Sequence, residues 1–383
     1  MSERSERTSS TVRSSARRAE HADLVVVGGG AMGLAAAWSA APRARVVLVE
    51  RFDPGHDRGA SHGGERIFRH AYADVAYVDL ALAAEEGWRA LERATGRPLL
   101  HRVGCVEHGA AADLDALAAG AGARGVATER MTAAEASRRW PALAFATDVL
   151  AQPGAGWVRA ADGLAALAAE AARAGADVRF GQGPVTVEPA GDGVRVATTS
   201  GRAVVAPVAV VTAGAWTTDV LAPFDLPLPP LVTTQENVFF LDRRPDAAFP
   251  AFIQWEGRDR YGTPSADGRV KVGEHHTGTV TTGDTRSGVP DAARVGPIED
   301  YARAWLPGAV PRVVAATTCL YTSTPTLDFV LDRAGPIVVG AGFSGHGFKF
   351  VPEVGRRLAA LALDGARSFA PFTFAAHAAA AGG

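Results

Sequence analysis

From residue 23 onward the chain alternates short runs in which every position is apolar with longer Ala/Leu-rich stretches. Asp23-Leu-Val-Val-Val27 is apolar at each position after the aspartate. A run of that length without a polar side belongs to a strand covered on both faces. Gly28-Gly-Gly30-Ala-Met-Gly33 follows, then an Ala-rich helix through about Ala40, then a second strand, Arg45-Val-Val-Leu-Val49, ending in Glu50. Residues 163–180 read as a long helix followed by the strand Asp177-Val-Arg-Phe180. Val185-Thr-Val187 and Val194-Arg-Val196 alternate apolar and polar positions about a Gly-Asp-Gly turn, the pattern of a hairpin with one buried face. The apolar strand Val208-Ala-Val-Val211 then closes on Thr212-Ala-Gly214-Ala-Trp216. Thr233–Leu241, Ala251–Trp255 and Arg269–Val272 predict strands of a mixed or antiparallel sheet, with 79–93 and 297–305 as helices covering it. Pro336-Ile-Val-Val339 predicts a last strand, leading through a glycine-rich loop to a helix from Val351 to Leu363.

The first of these units carries chemistry. Strand, G-x-G-x-x-G, helix, strand and a terminal acid in register form the dinucleotide-binding fingerprint. Gly28 makes the tight turn, Gly30 admits the pyrophosphate to the backbone, and Gly33 lets the helix pack against the strand. Free N–H groups at the helix start, from Ala31 and Met32 on, favour the phosphates. Glu50 stands about 20 residues downstream, where a carboxylate accepts ribose hydroxyls. The unit alone does not separate FAD from NAD. The order of elements after residue 163 resembles the continuation of FAD-binding folds of the glutathione reductase superfamily, whereas a nicotinamide dehydrogenase more often repeats a βαβαβ half there. The C-terminal strand, glycine loop and helix would be a second anion-cradling element.

The 383 residues are 47% hydrophobic and 21% charged, enough chain for two domains. A net charge of −2 recommends neither nucleic acid nor an anionic membrane as partner. No apolar run approaches the roughly 20 residues a bilayer requires. Two cysteines, Cys105 and Cys319, make no disulfide framework and point to a reducing, cytoplasmic setting. Residues 1–20 are Ser/Arg-rich and nearly devoid of apolar side chains, the composition of a disordered arm. Glu3, Glu6 and Glu20 argue against a targeting peptide.

Of 39 Lys and Arg residues only two, Lys271 and Lys349, are lysine. Both lie in conspicuous company: Asp267-Gly-Arg-Val-Lys271-Val-Gly and Gly342-Phe-Ser-Gly345-His346-Gly347-Phe348-Lys349-Phe. A compact point charge is not interchangeable with a guanidinium in a tight pocket. Together with Gly59-Ala-Ser61-His62-Gly-Gly-Glu-Arg66-Ile-Phe-Arg69-His70-Ala-Tyr72, Tyr261-Gly-Thr-Pro-Ser and Thr318-Cys319-Leu-Tyr321-Thr, these stretches resemble the monomeric sarcosine oxidase and N-methyltryptophan oxidase family. The likeness spans nearly all the chain past residue 20.

The resemblance implies FAD, tethered covalently through Cys319. His62 and Arg66 would lie against the flavin ring, and Arg51, Ser61, Gly342, Gly345, Gly347 and Lys349 would line the cofactor with the first fingerprint. Arg69 and Lys349 would grip a substrate carboxylate, while Tyr261, His275 and Tyr321 would line the amine side. Lys271 would assist oxygen reduction near flavin N5. The implied fold is α/β and two-lobed: a discontinuous Rossmann-type, glutathione reductase-like FAD domain (21–80, 150–220 and 320–383) and a mixed-sheet substrate domain (81–149 and 221–319). The implied reaction is oxidation of a secondary amino acid, sarcosine or another N-methyl amino acid, by O2 to an imine and hydrogen peroxide. The implied protein is a monomer without metal.

Two departures stand out. Ser-His62-Gly-Gly-Glu replaces a pattern in which relatives often have a second histidine and an aspartate. Glu274, before His275, would put an acid near the pocket mouth. Oxidation of cyclic imino acids such as pipecolate or proline, glycine or D-amino-acid oxidation, electron transfer to a carrier, and a flavin-binding regulatory role without turnover are the alternatives.

Overall fold

The computed structural model describes residues 19–255 and 257–382. The expected arm therefore lies, up to residue 18, outside the described residues. Its end needs correction, because Glu20–His21 is already a strand, paired in parallel with Ala203–Ala206.

A six-stranded sheet runs in the order Asp177–Arg179, Val46–Val49, Leu24–Val27, Ala209–Val211, Ile337–Ala341, Val330–Ala334. Its first five strands are parallel and the last is an antiparallel edge. The all-apolar runs of the sequence are explained by what covers them. Side chains alternate between faces along a strand. Leu24, Val26, Leu48, Val210 and Val338 pack with the helices Ala31–Ala40 and Val351–Leu363. Val25, Val27, Val47, Ala209 and Val339 pack instead with Val187, Val194, Val196 and Val204 of a small four-stranded sheet. The predicted hairpin, Val185–Ala190 against Gly193–Thr198, supplies half of that second layer.

A nine-stranded mixed sheet forms the other half of the molecule. Val232–Arg243 is its spine, paired antiparallel with Arg269–Glu274, Thr279–Thr281 and the 15-residue strand Ala309–Ser323. Ala251–Trp255 meets Cys105–Gly109 in parallel, the pairing that makes the sheet mixed. The helix Val295–Trp305 covers this sheet as expected, with Ile298, Tyr301 and Ala302 against Phe239, Leu241 and Val270.

The other expected covering helix does not. Val75–Thr95 places Tyr77, Val78, Leu80, Trp88 and Leu91 in the core formed by the two helices of the dinucleotide unit. Trp88 also donates its indole N–H to Lys349 O at 2.8 Å. An apolar stripe fixes that a helix buries one face, but not which sheet that face meets.

The join at Gly33 is the tightest contact of the nucleotide unit. A Cβ there would stand 1.9 Å from Gly28 O, and Gly28 itself turns with φ +101°. Gly33→Ala therefore pushes the helix off its strand. Overpacking of this kind costs roughly 1–3 kcal/mol, and we expect a lower Tm together with weaker dinucleotide binding. An unchanged Tm and dinucleotide affinity would contradict this packing.

Candidate active site

One cavity of about 1020 Å³ runs from the glycine turn of the first fingerprint to the only two lysines of the chain. At its nucleotide end the helix Ala31–Ala40 starts without a side-chain cap. Ser61 Oγ accepts from Ala31 N at 3.0 Å, and the helix N-terminus otherwise faces the cavity, where its N–H groups and dipole favour an anion. Glu50 is 6% exposed. It accepts from Gly29 N at 2.6 Å and from Phe52 N at 2.9 Å, one bond to each carboxylate oxygen. Each oxygen keeps a lone pair for a ribose hydroxyl. Arg51 pairs with Asp284 at 2.8 Å and lies over the Trp216 ring.

In the middle of the cavity Cys319 comes from the long strand Ala309–Ser323, opposite Glu236. Its Sγ lies 3.7 Å from Ala60 O, in the loop that carries His62. Arg66 binds that loop from within, donating to Ala60 O at 3.3 Å and to His62 O. Burial, with Arg66 and Arg286 nearby, lowers the His62 pKa to about 4. Its Nε2 is buried and has no partner among the described residues. Lys271 stands opposite on Arg269–Glu274 and donates to Glu65 O at 2.6 Å. Burial, then Arg66, lowers its pKa to about 7, against the opposing pull of Glu65 and Cys319.

The far end is built by the glycine loop and the segment after the strand Glu65–Phe68. Lys349 is buried and donates to His346 O at 2.7 Å. Arg69, also buried, donates to Ala71 O and stacks 3.9 Å from the Tyr72 ring centre. Tyr321 OH lies 3.2 Å from His275 Nδ1 and 3.5 Å from Tyr261 OH, so these three form one hydrogen-bonded group. Burial lowers the His275 pKa to about 3 and raises that of Tyr261 to about 12. All three are thus uncharged at neutral pH.

Gly28, Gly30, Ala31, Met32, Glu50, Arg51, Ser61, Cys319, Gly342, Gly345 and Gly347 line the same cavity as His62, Arg66, Arg69, Lys271 and Lys349. One expectation fails. Glu274 is 3% exposed, faces Arg260, Arg294 and Arg258 at 3.2, 3.5 and 3.9 Å, and does not line the cavity. On a strand, neighbours face opposite sides, so within Arg269–Glu274 the glutamate shares the face of Val270 and Val272, away from the cavity that Lys271 lines.

Sequence reasoning missed Glu107, Gln152 and Trp255 behind Arg69, and Asp284 and Arg286 beside the cofactor end. Arg286 donates to Asp57 O at 2.7 Å and to Thr318 Oγ1 at 2.9 Å, tying the residue before Cys319 to the loop that faces it. Glu107 left no signal in the sequence, because that all five positions of Cys105–Gly109 are buried is visible only in the fold.

The residues fit a dinucleotide. An uncapped helix N-terminus, a buried acid at the end of the neighbouring strand and a long cavity between two lobes suit a diphosphate, a ribose and a ring system in sequence. Among the described residues no group of three or more His, Cys, Asp or Glu side chains is placed to hold a metal ion. No described helix is long and apolar enough to cross a membrane.

The chain matches the model of the FAD dependent oxidoreductase family, DAO, over residues 23–361, and it belongs to that family. FAD is thus the dinucleotide that the fingerprint alone left open. The chain is 38% identical over 373 residues to the monomeric sarcosine oxidase of Streptomyces avermitilis, covering 90% of this chain and 94% of that protein. It is 30% identical over 369 residues to the N-methyl-L-tryptophan oxidase of Yersinia pestis, covering 89% and 95%. Among solved structures it is similar to the open form of NikD, an unusual amino acid oxidase essential for nikkomycin biosynthesis. The TM-score is 0.80 at 29% identity, over 91% of this chain and 96% of that one.

Proposed function

We infer that this chain is an FAD-dependent amine oxidase whose substrate is a secondary amino acid, sarcosine or another N-methyl amino acid. The observation that carries the reading is the pair of buried cations, Arg69 and Lys349, in the cavity that begins at the dinucleotide fingerprint. Two cations with little access to bulk water select a carboxylate, a planar fork on one side and a point charge on the other. Sarcosine oxidase and N-methyltryptophan oxidase relatives support the amine.

FAD, when bound, supplies the acceptor for the electron pair of the C–H bond beside nitrogen. Arg69 and Lys349 hold the carboxylate, and fixing one end of so small a molecule fixes the reacting carbon, a large part of the rate enhancement. Tyr261, Tyr321 and His275 surround the amine. A substrate amine reacts in its neutral form, and the fixed positive charge of Arg69 and Lys349 favours loss of its proton. His275, uncharged because burial holds its pKa near 3, adds no repulsion of its own. The imine product hydrolyses in water; for sarcosine this yields formaldehyde and glycine. Oxygen takes the electrons and leaves as hydrogen peroxide, with Lys271 as the cation that stabilises the developing superoxide. We read the enzyme as cytoplasmic and monomeric.

The test is peroxide release from sarcosine, N-methyltryptophan, pipecolate and proline. Activity should be highest with an N-methyl amino acid and absent with amines that lack a carboxylate. Arg69→Ala should raise KM by the equivalent of about 2–5 kcal/mol, the usual loss when one partner of a desolvated charge contact is removed. Amines without a carboxylate reacting as well as their amino-acid counterparts would end the reading.

Covalent attachment at Cys319 finds support in the position of its Sγ, partly exposed in the cavity between the His62 loop and Lys271. The other cysteine, Cys105, is fully buried, and its thiol pKa is pushed well up by burial. Acid-precipitated protein should stay yellow, and the Cys319→Ala protein should release its flavin to the supernatant. Free FAD from the unmutated protein would exclude the linkage.

Lys271 is charged below pH 7 and loses its proton as pH rises through about that value. Oxygen reaction of the reduced holoenzyme should therefore slow as pH rises through about 7. Lys271→Met should slow it by a factor on the order of 10²–10³, the worth of one preorganised electrostatic stabiliser, and flatten its pH profile. Anaerobic reduction by substrate should change far less. Equal slowing of both half-reactions in stopped flow would assign Lys271 to holding the fold or the flavin.

A further inference from the structure

The carboxylate clamp contains a third charge. Glu107, on the strand Cys105–Gly109, is wholly buried, with one oxygen 3.6 Å from Arg69 Nη1. The same carboxylate accepts from Gln152 Nε2 at 2.5 Å and from Trp255 Nε1 at 2.8 Å. Gln152 in turn accepts from His70 N and Ala71 N at 3.1 and 2.9 Å. Glu107 is thereby fixed by neutral donors and sits behind Arg69 without a bidentate grip on it. The guanidinium keeps N–H groups for a ligand on its cavity side.

The charge of Glu107 reaches both cations. Burial works against the Arg69 charge, and Glu107 leads the groups that reverse this, leaving its pKa raised. Burial and then Arg69 push the Lys349 pKa well down, and Glu107 opposes them. In a site of low dielectric such interactions stay strong over several ångströms. A bare Arg–Lys pair would accept two carboxylates as readily as one. A fixed anion behind it repels the second.

We propose that Glu107 sets the charge specificity of the clamp: with Arg69 and Lys349 both protonated it leaves one net positive charge, which suits substrates bearing one carboxylate and disfavours those bearing two. Glu107 does not line the cavity and acts through Arg69 and through its field. It is a specificity-determining residue, not a catalytic one. The inference rests on the amino-acid oxidase reading above.

The test uses the flavin-loaded enzyme and two unreactive anions in which sulfur replaces the amine nitrogen, (methylthio)acetate with one carboxylate and thiodiacetate with two. Binding is read from the change each causes in the flavin absorbance. The unmutated enzyme should prefer the monocarboxylate by tenfold or more. Glu107→Gln, which keeps shape and removes charge, should narrow that ratio by a factor on the order of ten. Glu107→Asp, which keeps charge, should retain most of the preference. A merely structural Glu107 would weaken both ligands together and leave the ratio alone. An unmutated enzyme that binds thiodiacetate as tightly as (methylthio)acetate overturns the inference whether or not the variants fold. So does a ratio unmoved by Glu107→Gln, or an Asp variant that behaves like the Gln one. If the unmutated enzyme binds neither anion, the carboxylate reading of the site falls, and this inference with it. If it binds the monocarboxylate and only the ratio fails to respond, the oxidase reading stands and Glu107 loses its role.

Discussion

The constraint on which the site depends is the burial of positive charge around one cavity. Arg69, Lys271 and Lys349 are each about 6% exposed, and Arg66 lies among them half-buried. Taking an ion from water costs several kcal/mol unless its donors are met. Here backbone carbonyls meet them: Lys271 donates to Glu65 O, Lys349 to His346 O, Arg69 to Ala71 O, and Arg66 to Ala60, His62 and Glu65. A carbonyl satisfies a donor without cancelling its charge. The cavity therefore keeps a positive field for an anionic ligand, moderated at Arg69 by Glu107.

That solution requires loops from distant parts of the chain to present their carbonyls inward. The loop before Glu65–Phe68, the segment just after it and the glycine loop at 342–347 all do so, and each comes from the dinucleotide half of the molecule. Lys271, Tyr261, His275, Tyr321 and Cys319 come from the nine-stranded sheet. The site is thus a junction. One half supplies the cofactor cradle and the carbonyl-capped clamp; the other supplies the long strands that project side chains across the gap. Arg286, bridging Thr318 to the loop at Asp57, fastens the two sides of that junction, while Trp88, donating to Lys349 O, holds the clamp within the dinucleotide half.

The same field orders the titrating groups. Burial alone keeps His275 and the tyrosines neutral, and the neighbouring cations reinforce it for His275 and His62. Lys271 is left near the middle of the physiological range because Glu65 and Cys319 partly offset burial and Arg66. Oxygen chemistry and amine binding so occupy differently tuned parts of one cavity.

The sequence by itself determined what depends on near neighbours. The apolar runs, the spacing Gly28–Gly33 and the acid at Glu50 define the nucleotide unit, because turn, helix start and strand end are local and repeat a fixed geometry. The scarcity of lysine and the motifs around Lys271 and Lys349 singled out the two compact cations. Only the tertiary structure decided what depends on faces and distant partners. The stripe of Val75–Thr95 did not say which sheet it covers, and Glu274 belongs to the face of its strand opposite Lys271. Glu107 is 38 residues from Arg69 in the chain and meets it only because Cys105–Gly109 pairs with Val149–Gln152, whose Gln152 grips both Glu107 and the backbone beside Arg69. A buried charge is specified by its surroundings, and those come from strands that sequence order keeps apart.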